Sequence, residues 1–315
     1  MSAKRIITVF GATGKQGGAI VKTFLNDPEL NGTWTVRAVT RDVSKDSAKA
    51  LASQGAEVVA ADLGDKGTLV KAVEGSDTVF AVTNYWEKLD MALEEQQGRN
   101  IADATKEAGV KHLIWSSLLD VAKLSKGKYT HLYHFDSKAH VEEYIRSLDI
   151  PATFFMPGFY MPNIPGQMLS KQGENWVFSL PITSSSPIPL YNPADTGKYI
   201  KAIVNNKDAL LSKRFLGATE YLTAQGVVDT FKKVFPEDGK SAAYFETPKD
   251  MYFGFMKTTG MPDFVIEELY ENMVLMQDFG YYGGEPLDES LGFVSDELTT
   301  WAEYAKNDAA FAGLK

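Results

Sequence analysis

Residues 8–18 read TVFGATGKQGG, the end of an apolar run followed directly by a glycine-rich turn. The run from Ile6 to Phe10 predicts a buried parallel strand, and apolar positions at helical spacing follow the last glycine. Gly11 allows the tight turn, Gly14 lets the backbone approach a pyrophosphate, and Gly17 lets helix and strand pack together. The free N–H groups of the helix N-terminus would hold the phosphates. This stretch therefore predicts a dinucleotide site.

Composition limits the classes of protein to which the chain can belong. Its 315 residues suit one large α/β unit or a nucleotide domain with a smaller lobe. The net charge of −9 argues against a large nucleic-acid or anionic-membrane surface. The absence of cysteine excludes disulfides, thiolate zinc sites and a cysteine nucleophile.

The same features predict where the protein resides. The first strand begins too early to leave room for a signal peptide, and no apolar run approaches the roughly 20 residues of a membrane span. We expect a soluble cytoplasmic protein, with the nucleus also open, that binds neither nucleic acid nor membrane directly.

Strand-like runs alternate with helical runs through the first half of the chain. Strands are predicted at 6–10, 34–40, 57–60, 78–82, 112–117 and 153–156, and helices at 44–53, 66–73, 88–107 and 136–148. This alternation predicts an α/β fold with a doubly wound parallel sheet of the Rossmann type over residues 1–157.

The pattern changes after about Gly158, where prolines cluster and aromatic segments appear. Helical patterns follow at 194–205, 224–235 and 262–276. We expect residues 158–315 to form a smaller, mostly helical C-terminal lobe, with some segments returning to the Rossmann sheet. The lobe would close a cleft at the carboxyl ends of the strands.

The end of the second strand predicts which cofactor binds. A carboxylate there hydrogen-bonds the ribose 2′-OH of NAD, whereas a basic residue accepts the 2′-phosphate of NADP. Here Arg41 follows the strand without an acid before it, and Lys15 in the glycine turn adds a second cation. NADP is favoured, and NAD stays open because Asp42 follows directly and could turn inward.

Two further loops fall at strand ends where a dinucleotide would lie. Asp62 and Leu63 follow the third strand, where Asp62 suits an adenine edge. Thr83, Asn84 and Tyr85 follow the fourth strand, where the chain commonly passes the nicotinamide ribose. Polar and aromatic residues at this edge of a parallel sheet belong to the ligand crevice by topology.

The catalytic pair of an ordinary short-chain dehydrogenase is incomplete. Such enzymes carry Tyr-x-x-x-Lys after the fifth strand, with a serine upstream. Here Lys138 is present but His134 takes the tyrosine position. Tyr133 lies one residue away and would point about 100° around the helix. Ser116 or Ser117 could supply the upstream hydroxyl.

Three roles are open for His134: acid or base catalysis, ligand binding, or a buried structural hydrogen bond. Lys138 is expected to contact the ligand. His131 and His134 are spaced like a metal-binding pair, but no third ligand follows at a suitable spacing. The sequence therefore predicts no metal site.

Together these segments resemble the NmrA-like proteins, which are atypical relatives of the short-chain dehydrogenases. The resemblance rests on GATGKQGG at 11–18, VTR at 39–41, TNYWE at 83–87, HFDSK at 134–138, VEEY at 141–144 and YMPN at 160–163. It implies a Rossmann domain with a small C-terminal lobe that binds NAD or NADP without the usual catalytic tyrosine. By this resemblance the cofactor contacts fall on Gly11, Ala12, Thr13, Gly14, Lys15, Gln16, Arg41, Asp62, Leu63, Thr83, Asn84, Tyr85, Lys138, Tyr160, Met161, Pro162 and Asn163.

Two functions follow from the resemblance. Better-known members look like redox sensors, whose nucleotide occupancy alters contacts with regulatory proteins such as transcription factors. The first hypothesis is therefore a regulatory NADP(H)-binding protein. The alternative is an NADPH-dependent reductase of a small carbonyl, quinone or enone, in which Lys138 replaces the missing tyrosine.

Overall fold

The computed structural model describes residues 3–315 and begins with strands and helices in strict alternation. The first half comprises β1 (Arg5–Val9), α1 (Lys15–Asn26), β2 (Trp34–Thr40), α2 (Asp46–Ser53), β3 (Glu57–Ala60), α3 (Lys66–Val73), β4 (Thr78–Ala81), α4 (Met91–Glu107), β5 (His112–Ser116), α5 (Val121–Leu124), α6 (Tyr133–Ser147) and β6 (Ala152–Pro157). The strand bounds agree with the sequence prediction to within one residue.

The second half mixes short strands with helices. It comprises β7 (Phe159–Tyr160), β8 (Leu169–Gln172), β9 (Asn175–Leu180), β10 (Pro187–Tyr191), α7 (Thr196–Asn205), α8 (Lys207–Leu210), β11 (Arg214–Gly217), β12 (Glu220–Thr223), α9 (Ala224–Val234), β13 (Ala243–Glu246), α10 (Lys249–Thr258), α11 (Asp263–Asp278), α12 (Asp288–Leu291) and α13 (Trp301–Asn307).

Seven strands form the central parallel sheet, in the order β11-β6-β5-β4-β1-β2-β3. The predicted Rossmann-type fold is confirmed. Helices α1 and α7 cover one face, and α3, α4 and α6 cover the other, each over its own apolar core. Burial on both faces explains why the central strands β4, β5 and β6 are nearly continuous apolar runs in the sequence. The strand order reverses between β1 and β4, so a crevice opens at their carboxyl ends.

The turn between β1 and α1 depends on glycine for steric reasons. Gly11 has a φ of +64°, a conformation that L side chains rarely adopt. A Cβ at Gly17 would lie 2.3 Å from the carbonyl oxygen of Gly11. The helix can start directly against the turn only because residue 17 has no side chain.

The residues after Pro157 contribute to two regions of the fold, the central sheet and the lobe. Strand β11 extends the central sheet beside β6, and α7 packs on α1. Most of the remainder forms a lobe with its own apolar core and two three-stranded sheets, β12-β10-β7 and β13-β9-β8. The lobe is thus less purely helical than the sequence predicted. Its strands are only two to six residues long, and β10 contains two prolines. Such short strands do not show the alternation of apolar and polar residues that predicts a strand.

Helix α6 starts three residues earlier than predicted. Its first turn receives carboxylates from α11, since the backbone N–H of His134 donates to Glu268 Oε1 at 2.9 Å. Just before the helix, the N–H of His131 donates to Glu271 Oε2 at 2.7 Å. A cap that comes from a distant helix leaves no local sequence signal. Within residues 3–315 we find no helix with the length and apolarity that crossing a bilayer requires.

Candidate dinucleotide site

A large cavity lies at the carboxyl ends of the central strands and extends into the lobe. Its volume is about 1810 Å³, whereas a typical pocket for one small ligand measures roughly 300–1,000 Å³. We call the part along the glycine turn and the ends of β1, β2, β3 and β4 the dinucleotide groove. We call the part lined by the lobe the apolar compartment. Its main apolar lining residues are Met168, Leu180, Phe245, Met251, Phe255, Met261, Val265 and Met273.

Most of the residues predicted for the site line this cavity. They are Gly11, Thr13, Gly14, Lys15, Gln16, Arg41, Asp62, Leu63, Thr83, Asn84, Tyr85, His134, Lys138, Tyr160 and Asn163. Three others do not line it: Ala12 and Met161 are buried in apolar cores, and Pro162 lies outside the lining. The resemblance selected whole segments, but the short helical turn at Met161–Asn163 brings only its last residue to the cavity.

The N-terminus of α1 opens onto the groove with the features that a diphosphate needs. Gly14 is the N-cap residue, and within the described chain no side chain caps this helix end. The first N–H groups of a helix lack intrahelical partners and carry partial positive charge. The first turn holds no acidic side chain, and Lys15 adds a cation. The residues present therefore fit a pyrophosphate.

Arg41 stands at the end of β2 beside the groove. Its Nη1 lies 2.6 Å from Glu87 Oε1, and the two side chains are 65% and 37% exposed. Exposed ion pairs contribute only about 0–1 kcal/mol, so a phosphate can compete for this guanidinium. Asp42 accepts from the backbone N–H of Ser44 at 2.8 Å and from its hydroxyl at 2.6 Å. It is thus occupied within its own loop.

Lys138 forms a buried ion pair at the floor of the groove. Its Nζ lies 2.7 Å from Oε1 of Glu94 on α4. Glu94 also accepts from the Thr83 hydroxyl at 2.7 Å and from the Ser137 hydroxyl. Burial alone would raise the pKa of Glu94, but the Lys138 ammonium and the two hydroxyls outweigh it, so this pKa lies below its ordinary value.

The side chain of His134 is held by a carboxylate from the lobe. Its Nδ1 lies 2.6 Å from Oε1 of Glu268 on α11, and its ring centroid lies 4.8 Å from that of Trp86. Burial lowers the pKa of His134, and Glu268 only partly opposes this shift. Its Nε2 has no hydrogen bond to any residue in the range 3–315, although the side chain lines the cavity.

A hydrogen-bond network joins the glycine turn to the lobe. The Gln16 amide donates from Nε2 to the Tyr160 hydroxyl at 2.8 Å. The Ser116 hydroxyl donates to Gln16 Oε1 at 3.0 Å. Ser117 points elsewhere and donates to Glu142 Oε2 at 2.6 Å. Of the two serines considered from the sequence, Ser116 is therefore the one at the cavity.

Sequence reasoning missed the two glutamates that hold Lys138 and His134. Glu94 lies 44 residues before Lys138, and Glu268 lies 134 residues after His134. Each is an acidic residue at a buried position of a helix, and this is the one sequence feature that could have identified them as site residues. Their partners are defined only by the packing of α4 and α11 on α6.

Spacing along the sequence offers no third metal ligand beside His131 and His134. The structure places Glu267 and Glu271 beside His131, with one donor atom from each residue within 4.8 Å of the others. His131 Nδ1 already contacts Glu271 Oε1 at 2.7 Å, and Lys249 Nζ lies 3.8 Å from Glu267 Oε1. The cluster thus has hydrogen-bonding and charge partners of its own.

Comparisons with known proteins agree with the predicted family. The model of the NmrA-like family matches residues 3–305. The NmrA-like family domain-containing oxidoreductase malD of Malbranchea aurantiaca is 32% identical over 260 residues, which cover 77% of this chain and 76% of that protein. Other fungal relatives with the same kind of name are matched over about half of their length.

Solved structures show the same fold. NmrA, a negative transcriptional regulator solved in complex with NADP, gives a TM-score of 0.81 at 20% identity, covering 97% of this chain and 95% of that chain. NmrA has also been solved in complex with NAD. The NADPH-dependent quinone oxidoreductase QOR2 of Escherichia coli gives a TM-score of 0.73 at 23% identity, covering 94% and 97%. At these identities the likeness shows the fold alone.

Proposed function

Because the chain belongs to the NmrA-like family, we propose that it binds NADP(H) and acts as an oxidoreductase on an uncharged organic substrate. The observation that carries this proposal is the continuity of the cavity, in which the dinucleotide groove opens into the apolar compartment. A protein that only bound a nucleotide would have no need for a second apolar space beside it.

NADP(H) is preferred to NAD(H) because of Arg41. Its guanidinium stands at the groove with only an exposed carboxylate, Glu87, to compete for it. The N-terminus of α1 serves either dinucleotide, so NAD(H) would bind more weakly rather than not at all. This expectation agrees with the complexes of NmrA with both NADP and NAD.

The substrate class follows from the lining of the apolar compartment. Among the described residues that the lobe contributes to the cavity, none carries a charge. Methionines and aromatic rings are its most frequent members, with uncharged polar side chains such as Gln167 and Asn272 among them, and methionine adapts well to irregular apolar ligands. An uncharged carbonyl compound, quinone or enone fits this lining, and the space accommodates a larger molecule than a small aldehyde.

Lys138 fits a binding role better than a proton-transfer role. The Lys138 ammonium is already engaged by the buried Glu94 carboxylate, 2.7 Å away, so it is directed at an ion-pair partner rather than at a substrate oxygen. Thr83 shares the same carboxylate, so the ion pair sits where the chain passes the expected ribose of the nicotinamide. We infer that Lys138 orients the dinucleotide, whose chemical contribution when bound is a hydride.

A regulatory NADP(H)-binding protein is the second candidate. The observation that favours it is the Arg41–Glu87 ion pair, which ties the end of β2 to the loop after β4. A 2′-phosphate that displaced Glu87 would free this loop, including the half-exposed Trp86, for contact with a regulatory protein. The absence of the usual catalytic tyrosine also agrees with a regulatory function.

One experiment separates the two candidates. The purified protein is titrated calorimetrically with NADP⁺, NADPH, NAD⁺ and NADH, and NADPH consumption is then followed with menadione, benzil, chalcone and benzaldehyde. Tight NADPH binding with catalytic consumption in the presence of one of these probes supports the oxidoreductase. Binding that discriminates between nucleotides, without turnover of any probe, contradicts it and favours the regulatory protein.

A further inference from the structure

We propose that His134 donates the proton to the substrate and that Glu268, on the lobe helix α11, is the residue that positions it. This proposal rests on the oxidoreductase function proposed above. It assigns the role of the missing tyrosine to a pair formed across the boundary between the Rossmann layers and the lobe.

The geometry of the pair resembles that of an oriented acid–base histidine. Glu268 is 0% exposed, and its Oε1 accepts from both the backbone N–H and the Nδ1 of His134, at 2.9 and 2.6 Å. With Nδ1 engaged, the ring orientation and tautomer are fixed, and Nε2 is left for the cavity. Oε2 of Glu268 is buried without a hydrogen-bond partner among the described residues, and the Tyr85 phenol is another titratable group that this carboxylate influences.

The position of His134 on α6 places it beside the expected cofactor. It lies four residues before Lys138, on the same face of the helix, and the Lys138 Nζ lies 3.3 Å from the His134 carbonyl oxygen. Trp86 packs on the imidazole from the loop after β4. His134 therefore stands between the groove floor and the apolar compartment.

The proton balance of the step is complete. In the reduction of a carbonyl, the carbon would take up the hydride that bound NADPH would supply, and the C=O π electrons would move to oxygen. The Nε2–H of the His134 imidazolium gives that oxygen its proton, which yields an alcohol and a neutral imidazole. Solvent then reprotonates His134 through the open cavity.

The charged surroundings of His134 determine how the step depends on pH. Glu268 of α11 and Glu94 of α4 raise the pKa of His134, whereas burial and Lys138 of its own helix lower it, with burial the largest effect. Tyr85, whose own pKa is raised by burial and by Glu268, stays neutral. The pKa of His134 therefore lies below its ordinary value, so reduction should slow as the pH rises through this lowered pKa, and alcohol oxidation should accelerate.

Glu268 could instead serve only to cap α6, and a matched variant distinguishes the two roles. Glu271 is buried on the same helix and makes comparable contacts just before α6, since its Oε2 accepts from the N–H of His131 and its Oε1 contacts the Nδ1 of His131. His131 is not among the residues that line the cavity. Glu271→Gln therefore removes a comparable cap without touching the proposed pair.

The test begins with the cofactor-free protein. The chain has four histidines, so the His134 resonance can be assigned by its loss in His134→Gln and titrated by NMR. Glu268→Gln should move the His134 titration to lower pH by about one unit or more, because a carboxylate that favours the imidazolium is removed. Glu271→Gln should leave it unchanged. An unmoved His134 titration in Glu268→Gln overturns the assignment.

Turnover supplies the second readout. With NADPH and the carbonyl probe benzil, His134→Gln should lower kcat by about 10²-fold or more while NADPH affinity is retained. Glu268→Gln should shift the kcat–pH profile to lower pH, and Glu271→Gln should not. Equal losses in both glutamate variants with unshifted profiles would mean that Glu268 is only a cap.

Two outcomes separate this proposal from the function on which it rests. Turnover by the wild-type protein together with an active His134→Gln variant contradicts the proton donor alone. Absence of wild-type turnover contradicts the oxidoreductase and removes the proton donor with it, even where NMR shows the His134–Glu268 coupling. If Glu268→Gln does not fold, His134→Gln still decides whether the imidazole is required.

Discussion

At the scale of single residues, the site is controlled by charges whose partners come from other elements. The Lys138–Glu94 pair shows why the partner matters. Both groups are almost completely buried, and each would be costly to bury alone. The histidine at the position of the usual tyrosine could be predicted directly from the sequence. The two carboxylates that contact α6 could not, because they approach from α4 and α11.

Replacing Lys138 by methionine should destabilise the protein in a pH-dependent way. The variant leaves the Glu94 carboxylate buried and unpaired, which costs about 3–5 kcal/mol at neutral pH. In the wild type the pKa of Glu94 lies below its ordinary 4.5, so the stabilisation is present above that value and is lost as pH falls through the folded-state pKa. In the variant, burial raises this pKa, and protonation relieves the cost as the pH falls.

Urea unfolding from about pH 7 to about pH 5 measures this effect. The difference in free energy of unfolding between wild type and Lys138→Met should narrow toward the acid end. Adding Glu94→Gln to Lys138→Met should recover much of the loss at neutral pH. A difference that stays constant with pH, or a double variant no better than the single one, would show that Glu94 does not carry the charge.

Glu87→Gln should increase affinity for NADP and leave affinity for NAD unchanged. The variant releases Arg41 from an exposed ion pair worth about 0–1 kcal/mol, which corresponds to at most about a fivefold gain. Calorimetric titration with both dinucleotides provides the measurement. Glu289→Gln, which removes an exposed ion pair with Lys213 far from the groove, is the control. An equal gain for NAD would mean that Glu87 acts on the groove in general rather than through Arg41.

At the scale of elements, local sequence determined the strands and the glycine turn, while tertiary contacts determined where helices begin. Strands β4, β5 and β6 are buried along their whole length, so apolar runs alone identify them. Helix α6 instead begins at Tyr133, where Glu268 of α11 accepts the N–H of His134 in the first turn and Glu271 accepts the N–H of His131 just before the helix. The two small sheets of the lobe were missed for a related reason, since β7 has only two residues and pairs with a strand far along the chain.

The glycine turn allows a substitution that should affect binding more than folding. Gly14 has φ −90° and ψ 179°, an extended conformation open to any residue, and an added Cβ would lie 3.2 Å from the Gly11 carbonyl oxygen. Gly14→Ala should therefore fold, yet its methyl group would occupy space at the proposed pyrophosphate contact. We expect at least a tenfold loss of NADP affinity by calorimetry.

Two other glycines serve as references for that experiment. Gly32→Ala places its methyl group in open space outside the cavity and should change neither affinity nor melting temperature by much. Gly17→Ala brings a Cβ within 2.3 Å of a backbone oxygen and should lower the melting temperature. Undiminished affinity in a folded Gly14→Ala variant would contradict the placement of the diphosphate.

At the scale of the whole molecule, the Rossmann layers and the lobe share one cavity, and neither would form it alone. The sequence predicted the groove because its residues lie in short segments at strand ends. The apolar compartment could not be predicted in this way, since its lining comes from β8, β9, β13, α10 and α11, which meet only in the folded lobe. Single methionines and phenylalanines in these elements are indistinguishable in sequence from core residues.

An exposed aromatic ring in the apolar compartment allows a test of whether substrate binds there. Phe255 is 64% exposed and lines the cavity, whereas Phe264 is 42% exposed and does not. Both side chains lie outside the buried core, so Phe255→Ser and Phe264→Ser should each change the free energy of unfolding by no more than about 0.5 kcal/mol. Loss of a partial ring contact of about 1 kcal/mol should raise the KM for menadione about fivefold in Phe255→Ser alone.

The Kd for NADPH, measured separately, should be the same in both variants because neither residue lies in the dinucleotide groove. Equal KM values in the two variants would place the substrate outside the lobe, and a changed NADPH Kd would mean that the two parts of the cavity are coupled rather than adjacent.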